Sequence, residues 1–182
     1  TEMLSVLRER AADRGLEPSV WAGDMRKPNA DRTYDLVIVP FRSFLHLLEI
    51  EDLLAALDRF HDLLAPDGEL VIAFFAPDFD VICDTYGEWQ ESTVTVEGTE
   101  YTVRNHTELV DEIELIAEGT QEILGPEGEQ VLRSSFHLNL VSKREFELLL
   151  DRSPFEDYSV YGGFDLEPLE SASQEMVWIV EP

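Results

Sequence analysis

The chain has 182 residues, enough for one domain with a sizeable core, and its hydrophobic fraction of 44% is ordinary for a globular protein. Its 39 acidic and 13 basic residues leave a formal charge of −26, which argues against direct binding to nucleic-acid phosphates. No apolar run reaches the length of a membrane span and no charged-then-apolar leader opens the chain, so a soluble, cytoplasmic protein is expected.

Along the chain, Thr1 to Arg14 reads as a helix with Met3, Leu4, Leu7 and Ala11 on one face, Thr1 as N-cap and Gly15 as C-cap. Pro18 to Ala22 reads as a short strand running into Gly23-Asp24-Met25, followed by a polar loop to Arg32. Tyr34 to Val39 contains the β-branched, wholly apolar run Leu36-Val37-Ile38-Val39, stopped by Pro40. A run apolar on both sides predicts a strand buried on both faces, as in parallel sheets. Glu51 to Leu64 has helical spacing, with Leu53, Leu54, Leu57, Phe60, Leu63 and Leu64 inward and His61 on the opposite, solvent face. Ala65-Pro66-Asp67-Gly68 predicts a turn before a buried strand, Glu69 to Phe75. Helices alternating with strands over short connections predict an α/β fold on a parallel sheet.

After Asp78 the texture changes. Thr93 to Val103 alternates around Glu97-Gly98 and predicts a hairpin; Leu109 to Leu124 and Gln130 to Val141 continue as strands, with a turn at Gly125 to Gly128. Lys143 to Leu150 is a predicted helix capped by Ser142. Tyr158 to Tyr161 and Met176 to Val180 close the chain as strands. The block from Tyr86 to Val141 is thus an expected antiparallel insertion on a parallel core. The single cysteine, Cys83, excludes an intramolecular disulfide and a cysteine-based zinc site, and it reads as a small buried hydrophobe. No metal-ligand spacing such as HExxH occurs.

The succession GDM, YDLVIVPFRSFLHL, LLAPDGELVIAFFAPD, YGGFDLEPL and EMVWIV resembles the class I S-adenosylmethionine-dependent methyltransferases. More narrowly, it is similar to the small-molecule branch whose insertion forms an antiparallel lid. The resemblance implies a doubly wound, mostly parallel Rossmann-like sheet with S-adenosylmethionine (SAM) as cofactor and a small-molecule methyl acceptor. It also implies a gap. Family members begin with a strand, a Gly-rich turn and a second strand, whereas no GxGxG occurs here and Thr1-Glu2-Met3-Leu4 matches the helix that follows. The expectation is therefore a single partial domain over residues 1–182, truncated at its start, with residues 86–141 as the lid. The absent strands would lie between those at Val20 and Leu36. A homodimer filling the gap is one alternative. Acid-rich, lysine-poor composition, with Lys27 and Lys143 the only lysines, resembles that of haloarchaeal proteins, and stability that rises with salt is expected.

The resemblance places Gly23, Asp24 and Met25 at the cofactor's adenine, and Pro40, Phe41 and Arg42 along the cofactor at a strand's carboxyl end, where ligands sit in open α/β sheets. Phe44 reads as core. His46 is the candidate general base, weighed evenly against a packed histidine. Tyr86, Arg104 and His137 are candidate substrate contacts from the lid, joined by Trp89 and His106. Arg104 would pair with a substrate carboxylate, although a surface ion pair is its simpler role. Asp78 and Asp80 read as a loop N-cap. Two other classes stay open: a non-catalytic scaffold that keeps the fold, and another nucleotide-binding α/β enzyme, for which no P-loop or dinucleotide fingerprint is present.

Overall fold

The computed structural model describes residues 2–182, so the N-cap expected at Thr1 lies outside the described residues. In chain order the elements are α1 (Glu2–Ala12), β1 (Tyr34–Val39), a 3-10 turn (Ser43–His46), α2 (Ile50–Asp62), β2 (Leu64–Phe75), α3 (Phe79–Thr85), β3 (Trp89–Val96), β4 (Thr99–Asp111), β5 (Ile116–Leu124), β6 (Gln130–Asn139), α4 (Lys143–Arg152), β7 (Asp157–Tyr161) and β8 (Glu175–Glu181). They build two four-stranded sheets, one ordered β1-β2-β8-β7 and the other β3-β4-β5-β6.

The first sheet is mixed. β1 and β2 pair in parallel, joined by α2 as a crossover, and β8 is antiparallel to both of its neighbours, β2 and β7. β7 therefore runs in the same direction as β1 and β2, and three of the four strands point one way, as the mostly parallel sheet expected from the resemblance requires. Only β8, inserted between β2 and β7, is reversed. The core lies where α2 and α4 cover this sheet. Phe44, Phe74, Phe146 and Trp178 are fully buried there and meet edge to face or offset, with Phe146 centred 4.8–5.4 Å from the other three rings. Helix α4 begins on a capping box: Ser142 Oγ accepts from the Glu145 N–H while Glu145 reaches back to the Ser142 N–H. Both Phe44 as core and Ser142 as cap match expectation.

The second sheet is an antiparallel meander. Its first turn places Glu97 and Gly98 at φ 51° and 81°, the two left-handed residues that a two-residue hairpin demands. The expected continuous strand Leu109 to Leu124 is broken at residues 112–115, where the Asp111 carboxylate accepts from the Ile113 and Glu114 N–H groups and ends β4.

Other expectations need correction. Pro18 to Ala22 is not a strand: among the described residues no strand lies beside it to share its hydrogen bonds, and extended chain without a partner is not a sheet. For the same reason β1 is not buried on both faces. It is an edge strand, and Leu36 and Ile38 are 49% and 55% exposed. An open groove of about 1130 Å³ runs between Val20-Trp21 and Leu36-Ile38, and α1 buries none of its residues. The Ala65–Gly68 turn is a loop-out within β2, across which the register jumps from Leu64 to Glu69. Gly68 is needed there, since a Cβ would lie 2.9 Å from the Tyr34 carbonyl. Cys83 is exposed, because α3 lies on the surface and buries no residue. His61 is not simply solvated; its ring meets Phe155 edge-on at 5.3 Å.

Candidate functional site

Pro40 ends β1, and the next two residues turn through the left-handed region: Phe41 at φ 57° and Arg42 at φ 60°. Neither is Gly or Asn, so each conformation costs roughly 1 kcal/mol or more. Contacts hold the turn. The Arg42 N–H donates to the Ala73 carbonyl at 3.1 Å, and the Ser43 hydroxyl donates to the Pro40 carbonyl at 2.7 Å. The Arg42 guanidinium crosses the strand ends to Glu175, 3.0 Å away at the start of β8, and lies over the Phe75 ring at 4.8 Å. Strain concentrated at the carboxyl end of a strand is a mark of a functional turn.

Arg42 stands between two clefts. One, of about 410 Å³, is lined by Pro40, Phe41, Arg42, Ala73, Phe164 and Glu175. The other, of about 290 Å³, is enclosed by Arg42, Phe75, Pro77, Val81, Ile82 and Tyr86 among others. Tyr86 is half-buried in the second, and burial pushes its phenol above the usual range. Phe41 is 93% exposed at the rim of the first, leaving an aromatic face free for a flat ligand.

Asp24 and Met25 occupy a turn across from α2. Met25 packs against the core, Gly23 is exposed, and the Asp24 carboxylate is gripped by Arg26, whose Nη2 lies 2.6 Å from Oδ2. Arg26 also reaches Asp52 at 2.7 Å, which ties the turn to the first turn of α2. The Arg26 hydrogen bonds hold the Asp24 carboxyl down at about 2. Because the pKa is depressed, the pairing is complete above the ordinary carboxyl range, near pH 4, and is lost as pH falls through about 2. We expect the NMR titration midpoint of Asp24 near 2, returning to about 4 in Arg26→Ala; equal midpoints in the two proteins would refute the pairing.

His46 ends the 3-10 turn and touches the second sheet. Its Nδ1 lies 3.1 Å from the His137 carbonyl of β6, and its ring meets Phe136 edge-on at 5.8 Å. A carbonyl only accepts, so Nδ1 carries the proton and a neutral ring keeps its lone pair at Nε2. His46 and Phe136 both remain open to solvent along the seam between the sheets.

Arg104 and His137 lie elsewhere. Strand alternation puts them on the sheet face opposite Phe136 and Leu138. There Arg104 pairs with Glu91 at 2.9 Å and Glu122 at 3.2 Å and stacks over Trp89 at 4.6 Å; Arg133 completes a network on Glu122. His137 Nε2 sits 3.3 Å from Glu118, and His106 stacks on Trp89 at 5.1 Å. These side chains are engaged with one another and do not line either cleft. Asp78 caps α3, accepting from the Asp80 and Val81 N–H groups, so the N-cap expected there is what forms. Glu175, Arg26 and Phe164 are contributions the sequence did not signal; Glu175 is 133 residues from Arg42 and arrives only because β8 pairs with β2.

Comparison with known proteins gives the fold. Residues 1–68 match a family model described as a methyltransferase domain. The whole chain superposes on a SAM-dependent methyltransferase from Clostridium acetobutylicum (TM-score 0.81, 15% identity), covering 100% of this chain and 71% of that one. It also superposes on the CcbJ methyltransferase from Streptomyces caelestis (TM-score 0.79, 19% identity, 98% and 70% covered). An amino pentose methyltransferase from Micromonospora echinaspora, solved with SAM bound, gives a TM-score of 0.70 at 19% identity, with 100% and 70% covered. No curated protein matches by sequence. The fold is that of the SAM-dependent methyltransferases.

Proposed function

We propose that this domain transfers a methyl group from SAM to a small-molecule acceptor, leaving S-adenosylhomocysteine. The observation that carries the reading is the strained Pro40-Phe41-Arg42 turn, which fronts a cleft at the carboxyl end of β1 in a methyltransferase fold. The residues present fit part of such a cofactor. Phe41 offers an exposed aromatic face for a purine, and the exposed Asp24 carboxylate, in its turn beside α2, is an acceptor for an exocyclic amine. SAM, when bound, supplies a methyl already activated by its sulfonium, so the protein's tasks are alignment and desolvation. Arg42 and Tyr86 narrow the neighbouring cleft and limit water. His46 lines neither cleft and sits at the seam with the second sheet; for an acceptor that reaches that seam, it is the candidate to take the proton at Nε2 as the bond to carbon forms.

The amino pentose methyltransferase and a sugar N-methyltransferase among the similar structures favour a sugar-like amine as acceptor, with the antiparallel sheet as a lid over it. Because no GxGxG turn occurs in these 182 residues, they supply only one wall of the cofactor site and are expected to be inactive by themselves. Titration with S-adenosylhomocysteine, followed by amide NMR, tests the reading. We expect weak binding, near 1 mM or about −4 kcal/mol, with shifts confined to residues 23–25 and 40–42. No shift at saturation would sink the methyltransferase reading. Micromolar binding would instead overturn the claim that a wall is lacking. A scaffold that kept the fold and lost the chemistry is the other reading, favoured by the missing Gly-rich turn.

A further inference from the structure

We propose that Gly119 and Phe136 are positioning residues that fix the tautomer of His46. Gly119 lies in the middle of β5, where glycine weakens a strand, by roughly 0.5–1 kcal/mol relative to Ala. Its backbone gives no reason for it, since its φ is not in the left-handed region. Its neighbour does. Gly119 is directly opposite Phe136 in the β5–β6 ladder, and a Cβ at 119 would stand 2.5 Å from Phe136 Cζ and 2.6 Å from Cε2. The phenyl ring therefore lies across the glycine, in space that any side chain would take. From that seat it presents itself edge-on to the His46 imidazole, at 5.8 Å and 76°.

Two consecutive residues of one strand thus hold the histidine. Phe136 sets the plane of the ring, and the His137 carbonyl, 3.1 Å from Nδ1, sets which nitrogen keeps the proton. An unconstrained neutral histidine exchanges between its tautomers; this one is committed to Nδ1–H with Nε2 bare. The chain of contact runs Gly119, Phe136, His46, and it couples the second sheet to the turn after β1. The tautomer stands on geometry alone, whereas its use in removing an acceptor proton rests on the methyltransferase reading above. Phe136 is 41% exposed, so the ring is not held by core packing and its seat over the glycine is what fixes it.

Long-range proton–nitrogen NMR of the His46 ring, recorded at pH 8, reads the tautomer without any ligand. The wild type is expected to show Nδ1–H almost alone. Gly119→Ala should unseat the phenyl and mix the tautomers, Phe136→Ala should do the same without touching β5, and Phe136→Tyr should retain the wild-type pattern. The double variant Gly119→Ala/Phe136→Leu, in which a smaller side chain relieves the clash, should recover part of the Nδ1–H population. An unchanged tautomer in folded Gly119→Ala and Phe136→Ala would overturn the proposal, as would an Nε2–H signal in the wild type. None of these outcomes depends on cofactor binding, so failure here and failure of the methyltransferase reading are separable.

Discussion

Phe146→Ala is expected to lower the free energy of unfolding by about 3–5 kcal/mol, the usual cost of deleting a fully buried aromatic ring. Phe146 is 0% exposed on α4 and touches Phe44, Phe74 and Trp178, so its removal opens a cavity at the point where helix, sheet and 3-10 turn converge. The surrounding groups are rings and strand residues that cannot collapse inward without leaving their own contacts. Leu148, two positions away on the same helix and 63% exposed, is the matched control: Leu148→Ala should change stability by no more than about 0.5 kcal/mol. Denaturant unfolding of the two variants decides the matter, and similar midpoints would mean that the aromatic cluster does not hold the core.

The second large effect is electrostatic. With a charge of −26 spread over the surface, folding gathers like charges that the unfolded chain keeps apart. Cations are too few to offset them: of 13 Lys and Arg, six (Arg26, Arg42, Arg59, Arg104, Arg133 and Lys143) each sit against a carboxylate. Most acids are left facing solvent, and Glu122 is the only carboxylate buried among the described residues, held between Arg104 and Arg133. Screening shortens the reach of that repulsion to about 3 Å at 1 M salt. The thermal midpoint should therefore rise by on the order of 10 °C between dilute and molar potassium chloride, equivalent to a few kcal/mol at ~2–4 °C per kcal/mol. A midpoint that stays level across that range would remove the electrostatic account.

What the sequence conveys about this molecule is what is encoded locally. Helix α2 and helix α4 announce themselves by leucine spacing, and Ser142 with Glu145 marks where the second begins. The Glu97-Gly98 turn is visible because a two-residue hairpin needs residues that tolerate positive φ. By contrast, Pro18 to Ala22 has strand composition and no strand, because pairing is supplied by neighbours and not by composition. Short α3 was hidden by its β-branched Val81 and Ile82 and by a length below what periodicity can reveal. The site divides in the same way. The position of Pro40-Phe41-Arg42 after an apolar, β-branched run was legible, but the left-handed turn was not, since neither Phe nor Arg hints at it. The Arg42–Glu175 pair depends on β8 inserting beside β2, a fact of topology that no local pattern carries. Likewise the partners of Arg104 (Glu91 and Glu122) and of His137 (Glu118) are set by strand register, which no local pattern carries.

Among the described residues β1 is the edge of its sheet, and this has a consequence for these 182 residues in bulk. An edge strand with half-exposed Leu36 and Ile38 is a template on which other chains can add. What stands in the way is the same crowd of carboxylates, which keeps molecules at arm's length in dilute neutral buffer. That protection is colloidal and can be switched off. Acidification toward the carboxyl range near pH 4 discharges it, and concentrated salt mutes it even while tightening each fold. The conditions that make one molecule most durable are thus the conditions in which two molecules meet most readily, edge to edge.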